Sequence, residues 1–277
     1  MVDPSRNYFF SPKQPDHSSG FANVSVGENA LGDLTIGSWN TAVGDVALTH
    51  VREGRNNVGV GALAMAEAIN PIDCVAIGVE ALGKVVDGVG GTAVGRLACA
   101  TLKSAGNNTG VGDSTLRYLE SGVGNVALGY TAAEQVKEGS HNTLLGVASG
   151  KLMPSGEYNT AVGAHSMTNA GTSSENVALG AMSMMDASGV GNVAVGLRAG
   201  AALREASRSV FVGWMAGGTA EQNASVDNCV VIGNSTAALR SHQVVLGNVD
   251  TQEFVLGGVQ FNKQELLALL SIIRRGG

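Results

Sequence analysis

The chain has 277 residues, a net charge of −6, 14% charged and only 4% aromatic residues. It also has 40 glycines, about twice the usual share of about 7%. So few bulky side chains argue against a thick globular core and for a thin, regularly coiled architecture. The negative balance argues against nucleic-acid binding, which leaves a basic footprint, and no apolar run approaches the roughly 20 residues of a membrane-spanning helix.

Residues 1–20 stand apart from the rest of the chain and form a candidate N-terminal anchor segment. They carry Asp3, Lys13 and Asp16 but no apolar core of the kind a secretory signal has. Tyr8, Phe9 and Phe10 cluster near Pro4, Pro12 and Pro15. These three aromatics are the candidate partner-binding residues of the segment.

From residue 21 to residue 240 the chain is a repeat. Glycines that follow an aliphatic residue fall at Gly27, Gly44, Gly61, Gly78, Gly95, Gly112, Gly129, Gly146, Gly163 and Gly180, every interval being 17 residues. Gly196, Gly213, Gly233 and Gly247 continue the series at intervals of 16, 17, 20 and 14. The residue before each glycine is Val, Ile or Leu, the residue three before is Val or Thr, and the one between is usually Ala or Gly. Alternation with period two and β-branched filling predicts a short strand in each unit. Asn stands four before the glycine in nine of the fourteen copies, where it suits a left-handed corner and where stacked amides can form a ladder. The glycine marks the next corner, with positive φ or a close backbone approach. Pairs such as Ala47-Leu48, Ala64-Met65 and Ala81-Leu82 predict a second strand, and Gly37, Gly54, Pro71, Gly88, Gly122, Gly139 and Gly156 a further turn.

Such units bury an apolar face only by stacking. Thirteen turns at about 4.8 Å each give a rod of roughly 60 Å. The variable residues 50–55, 67–70 and 135–141 are expected to line one edge as a ladder of loops. The strand face carrying Ala42, Ala76, Ala93, Ala127, Ala161, Ala178 and Ala194 is expected to be the outer one. Its apolar stripe would then need covering by copies of itself, which predicts a homo-oligomer, with a trimer as the preferred state.

Residues 241–260 read as a neck, with Val244-Val245-Leu246-Gly247 and Phe254-Val255-Leu256-Gly257 closing the coil. Residues 261–277 read as an amphipathic helix. Asn262 and Glu265 form a capping box, and Leu266, Leu269, Leu270 and Ile273 follow at helical spacing as candidate trimer-interface residues.

Strings such as Asn40-Thr41-Ala42-Val43-Gly44, Asn159-Thr160-Ala161-Val162-Gly163 and Asn176-Val177-Ala178-Leu179-Gly180 resemble the head repeats of YadA-like trimeric autotransporter adhesins, a repeat type also found in bacteriophage tail fibres. The resemblance covers roughly residues 21–257. It implies an all-β, left-handed parallel β-roll of three chains and a role in surface attachment. The missing secretion signal and membrane-anchor barrel turn the expectation toward a virion fibre or tip protein. That protein would be made in the host cytoplasm, bound to a tail or baseplate protein through its N-terminal segment, and bound to a host polysaccharide or outer-membrane protein through its loops. An adhesin head fragment and a purely architectural virion spacer are the alternatives.

No enzyme, cofactor or metal is expected. The five histidines share no repeat position, and the glycine strings that mimic phosphate loops are explained by the repeat. Glu134, Glu138, Asp186, Glu205 and Glu221 are scattered through loops. With Trp39 and Trp214 as the only tryptophans, a polysaccharide-cleaving groove is poorly supplied. Hexapeptide acyltransferases require close to 18 residues per turn, and ice-binding solenoids a repeated Thr-x-Thr face; neither pattern is present. Cys74, Cys99 and Cys229 are too far apart and too few for a disulfide framework or a zinc knuckle, so they read as small buried hydrophobes.

Overall fold

The computed structural model describes residues 7–10, 19–86, 88–103, 106–251, 253–256, 259–265 and 267–268. It is a parallel β-solenoid of about 17 residues per turn. Fifteen three-residue strands form one parallel sheet in chain order, from β1 (Tyr8–Phe10), β2 (Val24–Val26) and β3 (Thr41–Val43) to β15 (Val244–Leu246). Successive strands pair in strict register, Thr41 with Val58, Ala42 with Gly59 and Val43 with Val60. Every glycine-tagged string of the sequence is one of these strands.

The orientation of the sheet is the reverse of the expectation. Ala42, Ala76, Ala93, Ala127, Ala161, Ala178 and Ala194 are fully buried, while Val43, Ile77, Leu128 and Leu179 are 37–49% exposed. A coil this narrow has no room for a large side chain from both walls. Leu48, Met65, Leu82 and Leu116, four residues after the main glycines, fill the interior from the opposite side. A Cβ on Gly59 would collide with the Leu48 side chain. Where the strand residue is large, the facing one shrinks. Leu144 lies over Gly150 and Phe211 over Gly217, so total volume is conserved and the interior stays filled.

The expected second strand is absent. After each main glycine the backbone alternates in hand: Val46 and Leu48 (φ 59 and 50°), Leu63 and Met65 (60 and 50°), and Glu80 and Leu82 (57 and 48°) are left-handed. This alternation sends N–H groups in opposite directions along the axis. Val46 N–H donates to Glu28 O of the preceding turn (2.8 Å) and Leu48 N–H to Ala64 O of the following one (2.9 Å). The tight turn is therefore a hydrogen-bonded ladder without strand geometry. The glycine that opens it has φ between 129 and 137° from Gly27 to Gly233. A Cβ on Gly146 would also lie 2.5 Å from Gly163 O, so both expected reasons for glycine hold together.

The asparagine ladder forms, but not at left-handed residues. The left-handed position is the residue before, as in Trp39, Asn56, His141 and Tyr158. The asparagines themselves are buried. Asn142 Nδ2 donates to Asn125 Oδ1 of the turn below (3.1 Å) and to Gly156 O (2.8 Å). Its Oδ1 accepts from the backbone N–H and the amide of Asn159 (both 3.0 Å). All four hydrogen-bonding valences of each inner amide are satisfied without water.

The N-terminal aromatic cluster forms the first strand of the parallel sheet. β1 pairs with β2, Tyr8 opposite Val24, and Asn7 is the first member of the ladder, its Oδ1 accepting from Asn23 Nδ2 at 2.9 Å. Beyond β15 the neck is an antiparallel hairpin of β16 (Glu253–Leu256) and β17 (Val259–Asn262). A helical segment begins at residue 263. Its capping box is present: Glu265 N–H donates to Asn262 Oδ1 and Asn262 N–H to a Glu265 carboxylate oxygen, both at 2.9 Å. Leu266, Leu269, Leu270 and Ile273 lie outside the described residues.

Candidate interaction surfaces

The coil presents three surfaces: two run its length, and the third lies at its ends. The first is the outer face of the parallel sheet. The residue before each main glycine projects outward there, giving an aliphatic row that includes Val26, Val43, Ile77, Leu128, Val162 and Ile232, each 37–49% exposed. The preceding outward column holds Val and Thr, and several residues just after the glycine (Val79, Tyr130, Val147, Leu197 and Trp214) widen the row.

The second surface is the edge of variable loops. Each loop is pinned by buried residues, as by Val51 and Gly54, Ala68, or Val136 and Gly139, between exposed neighbours. Every loop stacks on its counterpart one turn away, so the edge is a regular array of side chains. Charges of opposite sign stack in the same way. Arg96 pairs with Asp113 (3.0 Å), Lys103 with Glu120 (2.9 Å), Lys151 with Glu134 (3.3 Å) and Arg208 with Asp227 (2.6 Å). A hydrogen bond from the Ser114 hydroxyl and the Arg96 guanidinium hold the Asp113 carboxyl below its ordinary range. Lys103 does the same to Glu120, and Arg208 to Asp227. Of the scattered loop carboxylates, Glu134 is thus committed to an ion pair, and Asp186 accepts from Asn169 Nδ2 at 2.6 Å.

Hollows appear on the surface where a column locally turns small. Ala66, Gly83 and Ala100 open a groove of about 400 Å³ edged by Glu67, Lys84 and Tyr118. The Arg117 guanidinium lies 5.0 Å over the Tyr118 ring there. A smaller hollow of about 240 Å³ lies between Ile36, Ser38, Trp39, Glu53 and Arg55.

The third surface is the pair of rod ends. β1 is the terminal strand of the parallel sheet at one end. Of the candidate partner-binding residues, Phe10 is 68% exposed, whereas Tyr8 and Phe9 are half-buried and Phe9 packs against the core. At the other end, a hollow of about 590 Å³ lies beside Val245, Leu239 and Val249.

The cysteines are free and buried. Cys74 and Cys229 occupy the ladder position in place of asparagine; Cys74 N–H donates to Asn57 Oδ1 (3.0 Å) and Cys229 N–H to Ser209 Oγ (3.0 Å). Burial pushes the Cys99 thiol up to about 12. Among the described residues, no group of three His, Cys, Asp or Glu side chains is placed to hold a metal ion. Among the described histidines, His141 and His242 share the left-handed column before the ladder position, several turns apart (φ 57 and 62°). His50 contacts Ala66 O through Nδ1 (2.7 Å), and His141 stacks on Tyr158 with ring centroids 5.1 Å apart.

Sequence reasoning missed the left-handed column before the asparagines, where the exposed Trp39 and Tyr158 stand. The signal was present: Gly90, Gly124 and Gly191 occupy the same column. No protein-family model matches the chain, and no curated protein matches it.

Proposed function

We propose that the protein is a rigid attachment fibre: a left-handed coil that assembles as a homotrimer, is carried on a virion, and binds a host surface through its loops. The carrying observation is the outer sheet face. Parallel sheets are normally covered on both sides, and this one has an aliphatic row along its length that no described residue of a single chain covers. Burying that row against copies of itself around an axis covers every turn at once, because every turn presents the same side chains.

The trimer leaves the loop edge available for contact. Repeated weak contacts along a rod gain strength through multivalency, which suits attachment better than a single deep pocket would. Phe10, exposed on the terminal strand of the sheet, is the point at which a tail or baseplate protein would take hold.

Light scattering after size exclusion tests the assembly. The expected mass is about three times 28.0 kDa, and Leu128→Lys, a change at a half-exposed outward position, lowers it to that of one chain with the β-rich circular dichroism intact. A wild-type monomer removes the symmetric fibre. Binding of the labelled trimer to bacterial cells, compared with cells stripped of surface polysaccharide, tests the attachment role.

A further inference from the structure

We propose that the hollow between Ile36, Ser38, Trp39, Glu53 and Arg55 is a binding subsite for one pyranose ring of a surface polysaccharide; this deepens the attachment reading and rests on it. Trp39 occupies the left-handed column that precedes the asparagine ladder, with φ 59°. Other turns place Gly90, Gly124 and Gly191 there, the residue type that this backbone favours. A bulky indole held in this conformation and 52% exposed contributes nothing to the core.

The indole is nevertheless fixed. The Phe21 ring meets it with centroids 4.7 Å apart and planes at 78°. Beneath the ring the main chain is held as well: the Trp39 backbone N–H donates to Phe21 O (3.1 Å), and the Phe21 backbone N–H donates to Ser38 Oγ (3.1 Å). Two turns of the coil thus pre-organise one exposed aromatic ring, which reduces the ordering cost of binding.

The surroundings match the two-sided chemistry of a sugar. The C–H bonds on one face of a pyranose are positively polarised and pack on the negative face of an aromatic ring. Its hydroxyls need both acceptors and donors. The Glu53 carboxylate supplies the first and the Arg55 guanidinium the second, and neither is tied up in an ion pair among the described residues, unlike Arg96 and Arg208. Ile36, 58% exposed, adds an aliphatic wall. At about 240 Å³ the hollow suits a single ring rather than a long buried chain. A stacked nucleobase is the poorer fit, because the chain's net charge of −6 repels a phosphate backbone.

The test uses the full chain on a printed array of hexose, 6-deoxyhexose, N-acetylhexosamine and uronic-acid oligosaccharides, together with binding to whole bacteria. The variants are Trp39→Gly, Glu53→Gln and Trp214→Phe. The expected result is wild-type binding to at least one glycan, lost at least tenfold in Trp39→Gly and several-fold in Glu53→Gln, and kept in Trp214→Phe. Trp39→Gly keeps the wild-type mass and a Tm at or above wild type, because glycine suits that backbone. Equal glycan binding by Trp39→Gly, or a changed mass in that variant, overturns the subsite. Wild type that binds bacteria but no glycan also overturns it while leaving attachment standing. Wild type that binds neither removes the attachment reading and the subsite together.

Discussion

From Asn108 to Asn192 the inner corner of the coil is an unbroken run of amide hydrogen bonds, one asparagine per turn. At Cys74 and Gly91 the same corner holds a thiol and then no side chain at all. The main chain barely registers the change. Val75 N–H donates to Gly91 O at 2.8 Å and Thr92 N–H to Asn108 O at 2.9 Å, against 2.8 Å for Val126 N–H to Asn142 O. Backbone ladders and interior packing therefore define the coil. The amides fill a polar slot that those ladders create, and once a turn has an amide its neighbours come to depend on it.

The largest expected effect lies on the feature both regions share. Gly146→Ala must accommodate φ 134° and a Cβ 2.5 Å from Gly163 O, at a cost of about 3–5 kcal/mol. Urea denaturation followed by circular dichroism measures it. An unchanged midpoint would mean that neighbouring turns slide apart freely, and backbone stacking would lose its place as the defining element.

The middle-sized effect separates the two regions. Asn142→Ala strips partners from Asn125 Oδ1, Gly156 O and the Asn159 amide at once, and should cost about 2–4 kcal/mol. Gly91→Ala, in the stretch without amides, places its Cβ 3.6 Å from the Leu82 methyl groups, an ordinary contact. It should change stability by less than about 1 kcal/mol, in the favourable direction. Similar destabilisation by both changes would erase the distinction between the regions.

The smallest effect concerns the charge pairs outside the coil. Asp113, Glu120 and Asp227 have depressed carboxyl pKa values. Their contribution is present above the unfolded-state value and is lost as pH falls through the folded one, on the acid side of the usual carboxylate range. The pairs are exposed and screened, so Asp113→Asn should lower Tm by less than about 2 °C at neutral pH, with the difference vanishing in acid. A difference that grew in acid would reverse the sign assigned to the pair.

Much of this was legible in the sequence, because a fixed column of glycines reports a fixed backbone. The strands, the glycine corners, the ladder and the Asn262–Glu265 cap all arise from residue types at set spacing. Which way the sheet faces did not. Alternating Val-Ala-Val usually places the large residues inside, and only the narrowness of the coil reverses this, with Leu48 and Met65 already occupying the interior. The tight turn misled for a related reason. Ala47-Leu48 reads as a strand by composition, whereas its alternating handedness is imposed by the turns above and below. The first rung was hidden because no glycine follows Phe10, although Asn7 stands 16 residues before Asn23. The hollow beside Trp39 depends on residues of successive turns, Trp39 with Glu53 and Arg55, coming together, which no single turn of sequence displays.

The strict register of the sheet has a consequence for how such a molecule changes over generations. Each turn offers the next the same backbone donors and acceptors in the same register, so a turn copied in the middle meets a familiar main chain on both sides. Duplicating or deleting one unit alters reach by about 4.8 Å and leaves every joint as it was. Length is thus an independently adjustable property, free to change while the chemistry of the loops stays as it was.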